Sequence, residues 1–302
     1  MAYFKMRLLL CLIFCCVASS STMAHAENKT VDTMAIRKLP ALHRQESPVL
    51  YPNAEKTDVE LFQDMARNLP PPLTDKFGEH QYAEMYGSYF VPYLRRQHIL
   101  LKKGIKFLEI GLGCNMNYND GVTASVPVWQ SILTDKDEYW EAEYNEDCVK
   151  GLQRNGILDG VNVLTGDQGN VTDLQRWIQE SGGKFDIIID DGGHHNNEIY
   201  ESFMNLWPIV KPGGLYFIED MQVGREPDFS DLSGRGIIMI DYIKAWIEQI
   251  VIKSWKGHPD WGVSPEILKT MKIPKGIRFI SCIRDACVIG KCDGKPGTWC
   301  SK

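Results

Sequence analysis

The chain has 302 residues, 44% hydrophobic and 24% charged, which supplies a full core and excludes a disordered or low-complexity protein. Its formal net charge is −6, and no basic stripe offsets that excess of acid. Such a surface is a poor match to nucleic acid or to anionic membranes.

Lys5 and Arg7 precede an apolar run from Leu8 to Ala18, and Ala24-His25-Ala26 has the small-x-small form of a cleavage site. The pattern predicts a signal peptide over 1–26 and a secreted or lumenal protein, with an uncleaved anchor as the alternative. Eleven apolar residues are too few for a comfortable, stable membrane span. Removing the segment leaves 31 basic and 39 acidic residues, a net charge of −8. Six of the nine cysteines remain, four of them crowded into 282–300: Cys282, Cys287, Cys292 and Cys300. Their spacing does not fit paired zinc knuckles, so disulfides are expected, with three pairings open. Asn28-Lys-Thr30 and Asn170-Val-Thr172 are glycosylation sequons.

Residues 27–72 are polar and aperiodic, end in Pro70-Pro-Pro72, and read as an arm or linker. The catalytic domain is expected over 73–302. Leu73 to Leu101 reads as partly helical; Tyr82, Tyr86 and Tyr89 have helical spacing that suits core packing or a substrate mouth. From Ile105 onward strands and helices alternate. Strands are expected at Lys106–Ile110, Glu138–Glu143, Asn162–Leu164, Phe185–Ile189 and Leu215–Ile218. A crossover helix is expected from about Asn196 to Trp207, with Lys211-Pro-Gly-Gly214 turning back. An amphipathic helix follows over Gly236–Ile252, then a hairpin of Ile277–Ile283 with Ala286–Gly290. The fold class is α/β: a Rossmann-like, doubly wound, seven-stranded sheet, mostly parallel, with a terminal antiparallel hairpin.

Two strands run straight into acid, Phe185-Asp-Ile-Ile-Ile-Asp190-Asp191-Gly-Gly-His194 and Gly214-Leu-Tyr-Phe-Ile-Glu219-Asp220. The interval is the length of one βαβ unit. As parallel neighbours, the strands would bring Asp190, Asp191, Glu219, Asp220 and a histidine together in the crevice where open sheets bind ligands. Like charges so close call for a proton or a cation, and oxygen ligands suit Mg²⁺, Mn²⁺ or Ca²⁺. Phe107-Leu-Glu109-Ile-Gly111-Leu-Gly113 is a strand entering a glycine-rich turn. Met116 stands where a dinucleotide fingerprint would need its third glycine. Glu109 sits badly against a pyrophosphate and better near a cationic ligand. The second strand ends in Glu143, placed to grip ribose hydroxyls, and the third in Thr165-Gly166-Asp167-Gln168, suited to an adenine edge. Acids at one end of successive strands point to a nucleoside-type cofactor.

In this order the motifs resemble class I S-adenosylmethionine-dependent methyltransferases. More narrowly, the chain from about Thr74 to Gln222 is similar to the metal-dependent sugar O-methyltransferases of macrolide biosynthesis and the cephalosporin-hydroxylase-like proteins grouped with them. Thr74-Asp75-Lys76, His80 and Tyr82 match a segment ahead of that family's first strand. The signal peptide, the arm and the cysteine-rich tail are departures. The resemblance implies S-adenosyl-L-methionine as cofactor, with Glu109, Gly111, Gly113, Glu143, Asp167, Gln168 and Asp190 on the cofactor side. It implies Asp191, Glu219 and Asp220 as ligands of Mg²⁺ or Mn²⁺, and His194, rather than its neighbour His195, as general base. The acceptor would be a hydroxyl of a sugar, glycan or small metabolite. A homo-oligomer is left open. The rival readings are a non-catalytic secreted interaction protein with this fold, and a metal-dependent hydrolase.

Overall fold

Period-two alternation places Phe107 and Leu108, neighbours in one strand, in two different apolar cores. That is how a sheet covered on both faces is built. The structure, a computed structural model, describes residues 56–69, 74–78, 80–114, 123–252 and 262–302. The signal peptide, Asn28 and most of the arm lie outside the described residues.

The strands are β1 (Lys106–Ile110), β2 (Glu138–Glu143), β3 (Asn162–Thr165), β4 (Phe185–Asp190), β5 (Val210–Ile218), β6 (Ile277–Ile283) and β7 (Ala286–Lys291). They form one sheet in the order β3-β2-β1-β4-β5-β7-β6. The first five are parallel; β7 runs antiparallel to both β5 and β6. The seven-stranded, mostly parallel sheet expected from the sequence is therefore present. β4 is buried at all six positions, as its unbroken apolar run requires. The chain leaves β1 toward β2 and returns on its other side as β4, so a crevice opens at the carboxyl ends of these strands.

One face is covered by α1 (Asp58–Arg67), α2 (Tyr82–Met85), α3 (Val91–Arg95), α4 (Val126–Ile132) and α5 (Glu146–Arg154), through residues such as Phe62, Tyr86, Trp129 and Val149. The other is covered by α6 (Val171–Ser181), α7 (Asn196–Leu206) and α8 (Met239–Val251), through Trp177, Phe203 and Trp246; α9 (Pro265–Thr270) follows. Wide π-type turns at Tyr86–Phe90 and Arg96–Leu100 interrupt the α2–α3 segment. Such turns often re-aim side chains at functional sites.

Most boundaries agree with the sequence reading to within a residue, and three departures are larger. Asp58–Arg67, read as polar arm, is a helix: Thr57 and Glu60 close a capping box, and Leu61, Phe62 and Ala66 are buried. Leu61, Phe62, Met65 and Ala66 repeat at helical spacing, a period that the polar composition of the surrounding segment overshadowed. β5 begins at Val210, because Lys211–Gly214 carries on the strand through a register shift against β4. α8 begins at Met239, since Gly236 has φ +71° and breaks the helix.

Among the described residues, the six cysteines pair as Cys114–Cys148, Cys282–Cys287 and Cys292–Cys300. The second crosses the β6–β7 hairpin and the third pins the tail. No described helix is long and apolar enough to cross a membrane.

Candidate active site

Sheet register builds the site. Ile110 pairs with Asp190, and Asp190 with Ile218, so the chain leaves three adjacent strands at one level. Asp191 N–H then donates to Ile110 O at 2.9 Å, and Glu219 N–H to Asp190 O at 3.0 Å. These bonds fix Asp191 and Glu219 side by side at the carboxyl edge. Gly111 must be glycine: φ is +107°, and a Cβ there would lie 1.9 Å from the Asp191 carbonyl oxygen.

Asp191, His194 and Asp220 converge, each offering a ligand atom within 4.8 Å of the others. His194 Nε2 is 3.3 Å from Asp220 and 4.0 Å from Asp191. His194 and Asp220 both adopt left-handed backbone, φ +58° and +53°, without being glycine. Strain of this kind persists where surrounding structure over-determines it, and it clusters at functional sites. Tyr82 contributes to that restraint. Its hydroxyl donates to Asp220 Oδ1 at 2.6 Å and accepts from the Asp220 N–H at 3.1 Å. Burial works to raise the Asp220 pKa, but the charge of His194 and the Tyr82 bond outweigh it and hold the carboxyl below its usual range. His195 points elsewhere, with Nδ1 3.3 Å from Ser230 O and its ring against Phe229.

Glu219 belongs to a deeper layer. One of its oxygens accepts from the Tyr86 hydroxyl and the other from the Lys76 ammonium. Lys76 is 1% exposed, also bonds Asp191, and lies 3.5 Å from Glu109 Oε1. Burial alone would lower its pKa, but Asp191, Glu219 and Glu109 reverse that and hold it well above the ordinary lysine value. Glu109 itself is fully buried: its Oε2 accepts from Ser125 at 2.6 Å and Trp129 Nε1 at 2.7 Å. It faces the α4 core and meets the crevice only through Lys76. Glu141, beside it on β2, is pushed well up by burial and by the Glu109 charge. Glu109 Oε1 and Glu141 Oε2 are each left without a hydrogen-bond donor, and burial raises the pKa of both carboxyls.

On the cofactor side, Glu143 Oε2 accepts from Leu112 N at 3.1 Å and Cys114 N at 3.5 Å, while Oε1 accepts from Asn145 N at 2.8 Å. Glu143 thus shapes the Gly111–Gly113 turn as well as standing at its rim. A carboxylate has about four acceptor sites, and three accepted bonds leave capacity for about one hydroxyl of a ligand. The Cys114–Cys148 disulfide ties the same turn to α5. Gln168 donates to Asp190 at 2.9 Å and accepts from Gly193 N at 3.0 Å, bracing the loop that carries His194. Asp190 is buried and also accepts from Ser202 and Tyr216, so it supports this loop from beneath. Asp167 turns back to its own loop, accepting from Gly169 N at 2.7 Å.

The sequence reading gave no role to Lys76, Glu141 or the Cys114–Cys148 pair. The rings of Tyr82 and Tyr86 are core, the packing alternative of the sequence reading, and their hydroxyls bond Asp220 and Glu219. His80, stacked on Tyr82 at 4.8 Å, lies 3.7 Å from Asp220 and from Asp285, too far for direct hydrogen bonds.

No protein-family model matches the chain. It is 33% identical over 158 residues to mycinamicin VI 2''-O-methyltransferase of Micromonospora griseorubida, covering 52% of this chain and 36% of that protein. It is 28% identical over 163 residues to 8-demethyl-8-alpha-L-rhamnosyl tetracenomycin-C 2'-O-methyltransferase of Streptomyces olivaceus, covering 52% and 37%. The chain spans between a third and a half of the length of the curated relatives it matches. Among solved structures it is similar to the MycE methyltransferase of the mycinamycin biosynthetic pathway, in complex with Mg, SAH and mycinamycin VI. The TM-score is 0.56 at 23% identity, over 82% of this chain and 58% of that one. The chain is thus similar in sequence to sugar O-methyltransferases, and its fold is the Rossmann-like fold of class I methyltransferases.

Proposed function

We propose that the protein is an S-adenosylmethionine-dependent O-methyltransferase, assisted by a divalent metal, that acts on a hydroxyl of a sugar or related small molecule. The observation that carries this reading is the convergence of Asp191, His194 and Asp220 beside the Gly111 turn. Two carboxylates at a crevice rim fit a hard divalent ion, the His194 imidazole beside them fits a base, and the turn with Glu143 fits a nucleoside. The relatives' names and the Mg and SAH bound by MycE support both assignments. The three disulfides support a secretory compartment, where such bonds persist.

S-adenosylmethionine would supply the methyl group as an electrophile, held at Glu143 and the Gly111–Gly113 turn. A divalent ion at Asp191 and Asp220 would lower the pKa of the acceptor hydroxyl. His194 takes the proton that this hydroxyl releases, and the adjacent Asp191 and Asp220 stabilise the imidazolium. The left-handed backbone of His194 and Asp220, with Tyr82 clamping the latter, fixes the direction of both side chains. Glu219 lies a layer deeper, with one oxygen bonded to Tyr86 and the other to Lys76, so an ion would meet it only on oxygens already engaged.

The test is transfer of labelled methyl groups from S-adenosylmethionine to a panel of free sugars, glycosides and released glycans, with Mg²⁺ present. Label should appear in an alkali-stable O-methyl ether. A folded protein that labels no hydroxyl acceptor and does not bind S-adenosylhomocysteine contradicts the reading.

A further inference from the structure

A lysine buried to 1% exposure inside a proposed cation site is not explained by that site. Lys76 reaches it from a single turn, Asp75–Phe77, capped by Thr74. The three donors of its ammonium face Asp191, Glu219 and Glu109, and the Tyr86 hydroxyl completes the surroundings of Glu219. Two of those three carboxylates are among the acids proposed to hold the metal. Lys76 and a divalent ion therefore compete for the same oxygens.

We propose that Lys76 is a specificity-determining residue of the site, a built-in cation that holds Glu219 and part of Asp191 and so keeps divalent-ion affinity low. This inference rests on the metal-assisted reading above. The structure supports it in two ways. Asp191, Glu219 and Glu109 surround one ammonium, with Asp220 beside Asp191 and His194, and such a concentration of acid folds only with compensating positive charge or protons. Lys76 supplies positive charge from within the chain, so the site stays assembled without metal. The same charge repels an arriving divalent ion and leaves Asp191 and Asp220 as the accessible pair. An ion bound this way exchanges readily and leaves coordination positions open for the acceptor's oxygens. A tight cage of three or four carboxylates would fill those positions.

The consequence runs against the usual effect of deleting a site residue. In the full chain, Lys76→Met should bind Mn²⁺ at least tenfold more tightly than wild type in calorimetric titration. Its melting temperature in EDTA should fall, and Mg²⁺ should raise it by more than it raises that of wild type. Lys76→Arg keeps the charge though not the compact shape of the ammonium, and where it folds its Mn²⁺ affinity should stay much nearer wild type than that of Lys76→Met. Unchanged or weaker Mn²⁺ binding by folded Lys76→Met overturns the proposal. If Lys76→Met does not fold in EDTA, refolding in Mn²⁺ should rescue it; failure in both media also overturns it, because an ion could not then replace the lysine. The outcomes separate the two readings. Mn²⁺ binding by Lys76→Met but not by wild type keeps the lysine's role and removes the metal from the native reaction. Binding by wild type with no gain in the variant does the reverse, and no binding by either removes both.

Discussion

The two halves of the crevice hold their acids by different means. At the ends of β4 and β5, Asp191, Glu219 and Asp220 are fixed by side chains from distant segments: Lys76, Tyr82, Tyr86 and His194. At the end of β2, Glu143 is fixed by main-chain N–H groups, that of Asn145 beside it and those of Leu112 and Cys114 in the turn after β1, and this turn is tied down covalently through Cys114–Cys148. The first arrangement depends on charge balance and is sensitive to single substitutions. The second depends on backbone shape and tolerates change more gradually. A site that moves a proton needs charges that respond to one another, whereas a site that grips a nucleoside needs a fixed edge.

Substitutions that separate these halves should rank accordingly. The largest loss is expected for Asp191→Asn, which removes a charge shared by Lys76, His194 and the proposed metal. Methyl transfer should fall by about 10³-fold or more, while binding of S-adenosylhomocysteine, read by calorimetry, survives. His194→Ala should lower turnover by about 10²–10⁴ with metal affinity largely kept. Raising the pH should restore part of that loss, since the acceptor hydroxyl then ionises without a base. On the other half, Cys114→Ser with Cys148→Ser opens a loop of 34 residues and should cost about 2–4 kcal/mol in denaturant unfolding. Glu143→Ala should weaken S-adenosylhomocysteine by about 1.5–3 kcal/mol, the range for hydrogen bonds to a charged group, and leave Mn²⁺ binding unchanged. Cys282→Ser with Cys287→Ser is the mildest. The loop spans five residues, the cost is about 2 kcal/mol, and both ligands should bind as before. A Glu143 variant that loses metal, or an Asp191 variant that loses the nucleoside, would break the division between the halves.

What the sequence revealed follows the same division. Strands and their acidic ends were legible because apolar runs bounded by Gly and Asp are local signals, and β1 and β2 match to the residue. The crossing that makes β4 and β5 neighbours followed from the length of one βαβ unit. Lys76 was visible only as part of a motif, because its partners lie 33, 115 and 143 residues away and no local pattern joins them. Glu109 illustrates the opposite difficulty. Its place before the glycine turn suggested a ligand contact, yet side-chain alternation along β1 sends it into the core with Trp129. The cysteine pairs were open in sequence because pairing depends on Cα separation, here 4.1 Å across the hairpin and 6.0–6.1 Å for the other two.

The central claim is that the carboxyl edge of β4 and β5 performs metal-assisted methyl transfer. The most direct measurement is the initial rate of labelled methyl transfer by the purified full chain, in EDTA and after stepwise addition of Mg²⁺ or Mn²⁺. The account predicts negligible transfer in EDTA and saturable restoration by either ion, with no restoration for Asp191→Asn. Undiminished transfer in EDTA would contradict it, leaving alignment of the substrates and His194 as the whole of the mechanism.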